Sequence, residues 1–252
     1  MLISWKFVMT RAKLLRTSIH ILLGMFLACS LAGGQAPGAY KIDGVQRIKQ
    51  LNNYCGPACM AAIMRYYGKD FTQEAIGRAM YDSSSGATHG ADMLFYARKQ
   101  GFAAYSWNSS ISDVKRRIAA GFPIIALQQN SLEDKSGHYR VLVGYDDAKS
   151  TFHAIDPYYD RTKLSYSECE TLWSKMGYWA LLILPEDKDT FKNELGARNP
   201  VVHMDLSYAK YKRKNYKDAL AEANLALALQ PTNTFALSMV DKIQKAMGAG
   251  AK

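Results

Sequence analysis

Histidine and cysteine are scarce in this 252-residue chain, five and four residues, and neither recurs at a metal-binding interval. There is no Cys-x-x-Cys pair and no His-rich tract, so neither a zinc site nor any other metal or cofactor is expected. No apolar run reaches the ~20 residues of a spanning helix, which excludes a transmembrane bundle. Acidic residues are in the minority, 22 against 32 basic, for a net charge of +10. No nucleic-acid-binding module accompanies that excess, and nucleic acid is not expected as a partner. With 48% hydrophobic and 21% charged residues, the chain can bury a sizeable core. Its length suits one full-sized domain and a small one.

The first 28 residues read as an export signal. Lys6, Arg11, Lys13 and Arg16 form a basic segment without acidic residues, followed by the short apolar run "SIHILLGMFLA". Phe26-Leu27-Ala28-Cys29 resembles a bacterial lipobox, in which Cys29 is lipidated and becomes the N-terminus, although Phe26 stands where Leu is usual. Cleavage nearby, or a retained anchor, are the alternatives. Removing the four basic residues of this segment leaves a net charge of about +6. Residues 29–42, with "SLAGGQAPG", read as a flexible tether. The chain is thus expected in the bacterial cell envelope, lipid-anchored and facing the periplasm. If Cys29 carries lipid, Cys55, Cys59 and Cys169 remain, an odd number in an oxidising compartment, so at least one thiol stays free.

Helix signals dominate up to Gly121. "GPACMAAIMRYYG" has Pro57 near its start and Gly68 just past its end. "FTQEAIGRAMY" and "GADMLFYARKQG" follow, the second stopped by Gly101. "SDVKRRIAAG" has Ser112 as the expected N-cap and Gly121 beyond its end. From "FPIIALQQ" onward strands prevail: a hairpin around "DDAKS", a short helix over "SYSECETLWSKMG", and the buried strand "YWALLILP". A helical half packed on an antiparallel sheet is an α+β architecture, here expected over residues 43–185.

After a linker at 186–198, residues 199–247 change character. "VVHMDLSYAKYKRKNYKDALAEANLALALQP" pairs two amphipathic helices and resembles a tetratricopeptide repeat (TPR), with Leu206, Ala219, Ala226 and Pro231 at the expected offsets. Ser207 and Lys210 occupy positions that usually hold a small and an aromatic residue. "TNTFALSMVDKIQKAM" then serves as a capping helix. A single repeat must dock on the first domain or on another chain, which makes a protein partner a second expectation. The basic run "KYKRKNYK" reads as a solvated helix face.

Cys55 is the residue best placed to react. A thiol attacks as thiolate, and a helix N-terminus with its unpaired N–H groups favours the anion. Gly56 lets a substrate carbonyl approach the backbone. Cys59, one turn on, reads as a small core residue. A base is needed next. His203 falls in the repeat-like segment with a structural role, and His89 reads as solvated or helix-capping rather than as a cleft residue. With the hairpin centred on Asp147, His138 stands opposite Asp156 and His153 opposite Val141. Opposed side chains share a face, so His138 and Asp156 form a pair that holds the imidazole in one tautomer. Gln50, five residues before Cys55, is the candidate oxyanion donor, ahead of Gln128, Gln129 and Asn130. "NSLEDKSG", before His138, reads as a plain loop rather than a mobile lid.

"Gln50 … Cys55-Gly-Pro-Ala", "Gly-His138-Tyr-Arg-Val-Leu-Val-Gly-Tyr-Asp" and "Ile-Asp156-Pro" resemble the bacteriocin-processing, double-glycine type of papain-like cysteine peptidase. The resemblance spans residues 43–185. It implies a papain-like fold, Cys55 as nucleophile, His138 as general base, Asp156 as its orienter, Gln50 as oxyanion donor, and a peptide or protein substrate. Two departures stand out. The double-glycine processors usually carry Asp before the catalytic Cys, six residues after the Gln; here Tyr54 precedes it and Gln50 is one residue closer. They are also often fused to a transporter, so the nearer likeness is to stand-alone exported relatives. The same triad serves an acyl or peptidyl transferase, and a non-catalytic tethered binding protein is a third alternative, against which the intact Cys, His and Asp speak.

Overall fold

The computed structural model describes residues 37–249. Nine strands and eight α-helices are formed among them. Strand β1 (Ala39–Lys41) comes first, so the expected tether over 29–42 reaches structure early; Ile42 is already buried in the core. Helix α1 (Cys55–Tyr66) has every residue from Gly56 to Met64 buried, the all-round burial of a central helix. Gly68 follows at φ +76°, where only glycine is unstrained. Helix α2 (Gln73–Met80) is capped by Thr72. A small hairpin, β2 (Tyr81–Asp82) and β3 (Ala87–Thr88), then leads into α3 (Gly90–Lys99).

Two sequence expectations are corrected in the next stretch. Residues Phe102–Asn108, passed over between two helices, form strand β4. Its aromatic and Ala residues carry no clean alternation, because both faces of the strand are largely buried. Helix α4 (Ile111–Ala119) is capped by Ser110, not Ser112: Ser110 Oγ accepts from Asp113 N at 3.2 Å, and Ser112 lies within the first turn.

Strands β5 (Ile124–Gln129), β6 (Gly137–Asp146), β7 (Thr151–Ile155), β8 (Lys163–Ser165) and β9 (Trp179–Pro185) complete the sheet, with α5 (Tyr166–Ser174) between the last two. All pairings are antiparallel in the order β4-β9-β5-β6-β7-β8, and β1 continues the β5 edge of β6. The Tyr139 hydroxyl donates to Thr88 O beside α1, whereas Gln128, paired with His138, donates to Cys169 of α5. Neighbouring strand residues point to opposite faces, so α1 and α5 cover opposite sides of β5–β6.

The segment expected as a linker packs on the core: Phe191 and Leu195 are buried, and Arg117 of α4 reaches Glu194 at 2.8 Å. Helices α6 (Pro200–Lys212), α7 (Tyr216–Leu229) and α8 (Thr234–Ala249) follow. Ala219, Ala223 and Ala226 line the buried side of α7, and Ser207 Oγ donates to Ala219 O at 2.9 Å. Small side chains at these positions let the helices approach closely. Helix α6 is joined to the sheet and to α3: Asn199 Nδ2 donates to Ser106 O, Trp179 Nε1 to Asp205 Oδ2, and Lys212 and Arg213 bond the buried Asp92 of α3 at 3.1 and 2.8 Å.

Candidate active site

A cleft of about 720 Å³ lies between the N-terminus of α1, the β2–β3 hairpin and the start of β6. Cys55, the first residue of α1, lines it. Tyr54 caps the helix without a side-chain bond, so the first N–H groups of α1 have no capping partner and the thiol sits at the positive end. The Tyr54 ring lies on Gly77 of α2, where a Cβ would stand 2.2 Å from it, and on Tyr81. The unexpected tyrosine thus packs the approach to Cys55 onto α2. Cys59 is buried, and its Sγ donates to Tyr139 O at 3.4 Å.

His138 and Asp156 meet, but by another register than expected. The last pair of the hairpin is Asp146 with Thr151, so its turn centres between Ala148 and Lys149 rather than on Asp147. Run on without interruption, that register would place Asp156 opposite Val141, on the face away from His138. Val143 prevents this. It is an extra residue between the pairs Leu142–Ala154 and Gly144–His153, a β-bulge whose carbonyl accepts from Ile42 N at 2.7 Å. Beyond it Val141 pairs with Ile155, so the position opposite Asp156 is Arg140, and His138 lies two residues along on the same face. His138 Nε2 then bonds Asp156 Oδ1 at 2.9 Å. His153 pairs with Gly144 and not with Val141.

The Asp156 carboxylate, 1% exposed, is saturated. Besides His138, Oδ1 accepts the N–H groups of Tyr158 and Tyr159, and Oδ2 accepts Arg140 Nε at 2.8 Å. Arg140, 2% exposed, also donates to Gln128 Oε1, Gln129 O and Asn130 O. Sequence reasoning missed it as a site residue. The signal was its spacing: two residues after His138 on a strand is the same face.

These contacts set the charges. Burial pushes the Cys55 thiol up, but the hydrogen bond and charge of His138, with the backbone of Tyr139 and Gly56, bring it below its ordinary value. Burial pushes the His138 imidazole down, and its hydrogen bonds to Asp156 and Cys55 more than offset this, leaving it raised. With Nε2 on Asp156, Nδ1 is the ring nitrogen left for Cys55. A lowered thiol beside a raised imidazole favours the thiolate–imidazolium pair.

Gln50 lines the same cleft, its N–H donates to Pro157 O at 2.9 Å, and its Oε1 is buried without a partner. The other candidates separate. His89 does line the cleft, contrary to expectation, and makes no capping bond; it faces Ser85 at 3.3 Å and Asp82 at 3.5 Å. His203 bonds Glu222 at 2.7 Å in the C-terminal helices. Gln128 is spent on Arg140 and Cys169, and Gln129 Nε2 bonds Ser131 O. Asn130, Asp134 and Ser136 of the 130–136 loop also line the cleft, as do Tyr158 and Tyr159. Cys29 lies outside the described residues. Among those described, no group of three or more His, Cys, Asp or Glu could hold a metal ion, and no helix is long and apolar enough to cross a membrane.

Residues 42–181 match the model of the family described as the Peptidase_C39 like family. Among solved structures the chain is similar to the peptidase domain of Streptococcus ComA, a bi-functional ABC transporter involved in a quorum sensing pathway. The two are 18% identical with a TM-score of 0.48, covering 57% of this chain and 100% of that one. It is also similar to a C39-like peptidase from Bacillus anthracis, at 17% identity and TM-score 0.47 over 59% and 98% of the two chains. A double glycine motif protease from an AMS/PCAT transporter, in complex with the leader peptide, matches at 21% and 0.47 over 58% and 94%. No curated protein matches.

Proposed function

The chain belongs to the Peptidase_C39-like family and is a cysteine peptidase, and from that premise we propose that it hydrolyses peptide bonds with Cys55, His138, Asp156 and Gln50. The observation that carries this reading is the bonded pair of His138 and Asp156, with the ring's second nitrogen left for a thiol at an open helix N-terminus.

In the proposed reaction the Cys55 thiolate attacks the peptide carbonyl carbon, and the C=O electron pair moves onto oxygen. The Gln50 amide and the Cys55 N–H donate to that oxyanion. The Oε1 end of Gln50 is buried, which leaves Nε2 as the end to meet it. His138 Nδ1 passes its proton to the departing amine, an acyl group remains on Sγ, and His138 then draws a proton from the water that releases it. Asp156 keeps the imidazole in the required tautomer throughout.

An exported, lipid-anchored enzyme acting on peptide or protein substrates in the envelope fits the basic-then-apolar first 28 residues and Cys29. Residues 199–247 serve in this reading as a TPR-like protein-binding segment, supported by the alanine-lined packing of α6 and α7.

A thiol-directed acyl probe tests the triad: labelling is expected at Cys55, and to disappear in Cys55→Ala and fall steeply in His138→Ala. Unchanged labelling in both variants would defeat the reading. Palmitate incorporation that survives Cys29→Ala would defeat the anchor.

A further inference from the structure

Gln50 sits in an irregular segment between β1 and α1, one residue nearer to the cysteine than in the double-glycine processors. An oxyanion donor works only if it is held in place before the charge develops, and no helix or strand of its own holds this one.

A side chain from another element does. Leu51 N donates to Gln73 Oε1 at 2.9 Å, and Gln73 Nε2 donates to Lys49 O at 2.9 Å. One amide thus takes the carbonyl before Gln50 and the N–H after it, the two bonds a neighbouring strand would make. Gln73 is buried and opens α2, where Thr72 Oγ1 accepts from Ala75 N and Ile76 and Met80 root the helix in the core. On its other side, the Gln50 N–H is held by Pro157 O, and Arg47 Nε donates to Asp156 O at 2.6 Å. The backbone at Gln50 is gripped from α2 on one flank and from the segment bearing Asp156 on the other.

We propose that Gln73 is a positioning residue for the reaction: by bracketing Gln50 it aims the Gln50 amide at the oxyanion formed on Cys55. The inference rests on the assignment of Gln50 as oxyanion donor. It also accounts for the shortened spacing, since a bracket supplied by α2 sets the height of Gln50 independently of the number of residues that lead to Cys55.

Two reactions of the full chain at Cys55 separate this role from a structural one. Acylation by p-nitrophenyl acetate adds the thiolate to a carbonyl, develops an oxyanion and expels p-nitrophenolate, leaving the acetyl group on sulfur. Alkylation by iodoacetamide forms a carbon–sulfur bond as iodide leaves, and develops no oxyanion. In Gln73→Met, burst release of p-nitrophenolate is expected to fall about tenfold while alkylation at Cys55 changes less than about twofold. Gln73→Glu keeps the acceptor for Leu51 N and suits a helix N-terminus; it is the second variant should Gln73→Met fail to fold, with an intermediate loss expected. In a Gln50→Ala background neither substitution should reduce acylation further. Equal losses in both reactions, or a further loss on top of Gln50→Ala, would overturn the inference. So would full acylation in the Gln73 variants beside a loss in Gln50→Ala. No loss in Gln50→Ala itself would overturn the oxyanion assignment beneath it.

Discussion

Arg140 stands across the β6–β7 ladder from Asp156, and the two share a buried hydrogen bond of 2.8 Å on the oxygen that His138 leaves free. The triad carboxylate is therefore held between the imidazole of His138 and the guanidinium of Arg140.

Removing the guanidinium should both loosen the fold and change the imidazole. Breaking one side of a buried pair costs about 3 kcal/mol or more, so Arg140→Met is expected to unfold at markedly lower denaturant. The Arg140 charge works against protonation of His138, so the alkaline limb of activity in Arg140→Gln should move to higher pH. A limb that stays put, read from pH–rate profiles, would contradict the coupling.

Thiolate reactivity should extend below the ordinary thiol range. Cys55 is lowered and His138 raised, so the thiolate forms at lower pH than for a free thiol and the imidazolium persists to higher pH than for a free imidazole. The rate of iodoacetamide alkylation against pH should accordingly show its acid limb displaced downward. In His138→Ala the hydrogen bond and charge that most oppose burial are lost, leaving only the backbone of Tyr139 and Gly56 against it, and the limb should move to higher pH than in the wild type.

Acid stability offers a separate check on Asp156. Burial pushes its carboxyl up, but the bond and charge of His138, the Tyr159 N–H and the Arg140 charge hold it at about 2, against 3.8 for the free group. A group depressed on folding lends stability that is complete above its unfolded value and lost as pH falls through its folded one. The stability gap between the wild type and Asp156→Asn should therefore close between pH 3.8 and about 2. Urea unfolding across that window would show it; a constant gap would speak against the depressed carboxyl.

Gly77 should be intolerant of any side chain because of Tyr54. A Cβ there would stand 2.2 Å from the tyrosine ring, and overpacking of this kind costs about 1–3 kcal/mol. Gly77→Ala is expected to lower stability and to slow acylation by displacing the residue next to Cys55. The double variant Gly77→Ala, Tyr54→Leu should recover stability relative to Gly77→Ala alone, and thermal melts of the three proteins would decide it.

Much of the site was legible because its signals are local. Cys55 before Gly-Pro, with glycine stops at Gly68, Gly101 and Gly121, marks helix limits through backbone conformations that the residues dictate. His138 and Asp156 were brought to one face by pattern alone, although the register leading to them was misjudged. Nothing local announces a bulge at Val143; it is stabilised by β1, which joins from far along the chain. Strand β4 was invisible for a related reason, since burial on both faces erases alternation. Arg140 and Gln73 escaped notice because their partners lie on other elements, and a charged or amide side chain reads as surface until a fold supplies its bonds. The cap of α4 falls on Ser110 rather than on the expected Ser112, because the extended backbone entering the helix reaches to Ser110.

The bulge also says where the length of this chain is free to vary. Val143 has no partner on β7, so losing it, or gaining one residue between His153 and Ala154, restores an unbroken ladder and leaves Asp156 across from Arg140. A residue gained or lost between His138 and Arg140 turns His138 to the opposite face of the sheet. A one-residue change at the first place is therefore expected to leave the His138–Asp156 pair intact, and one at the second to break it.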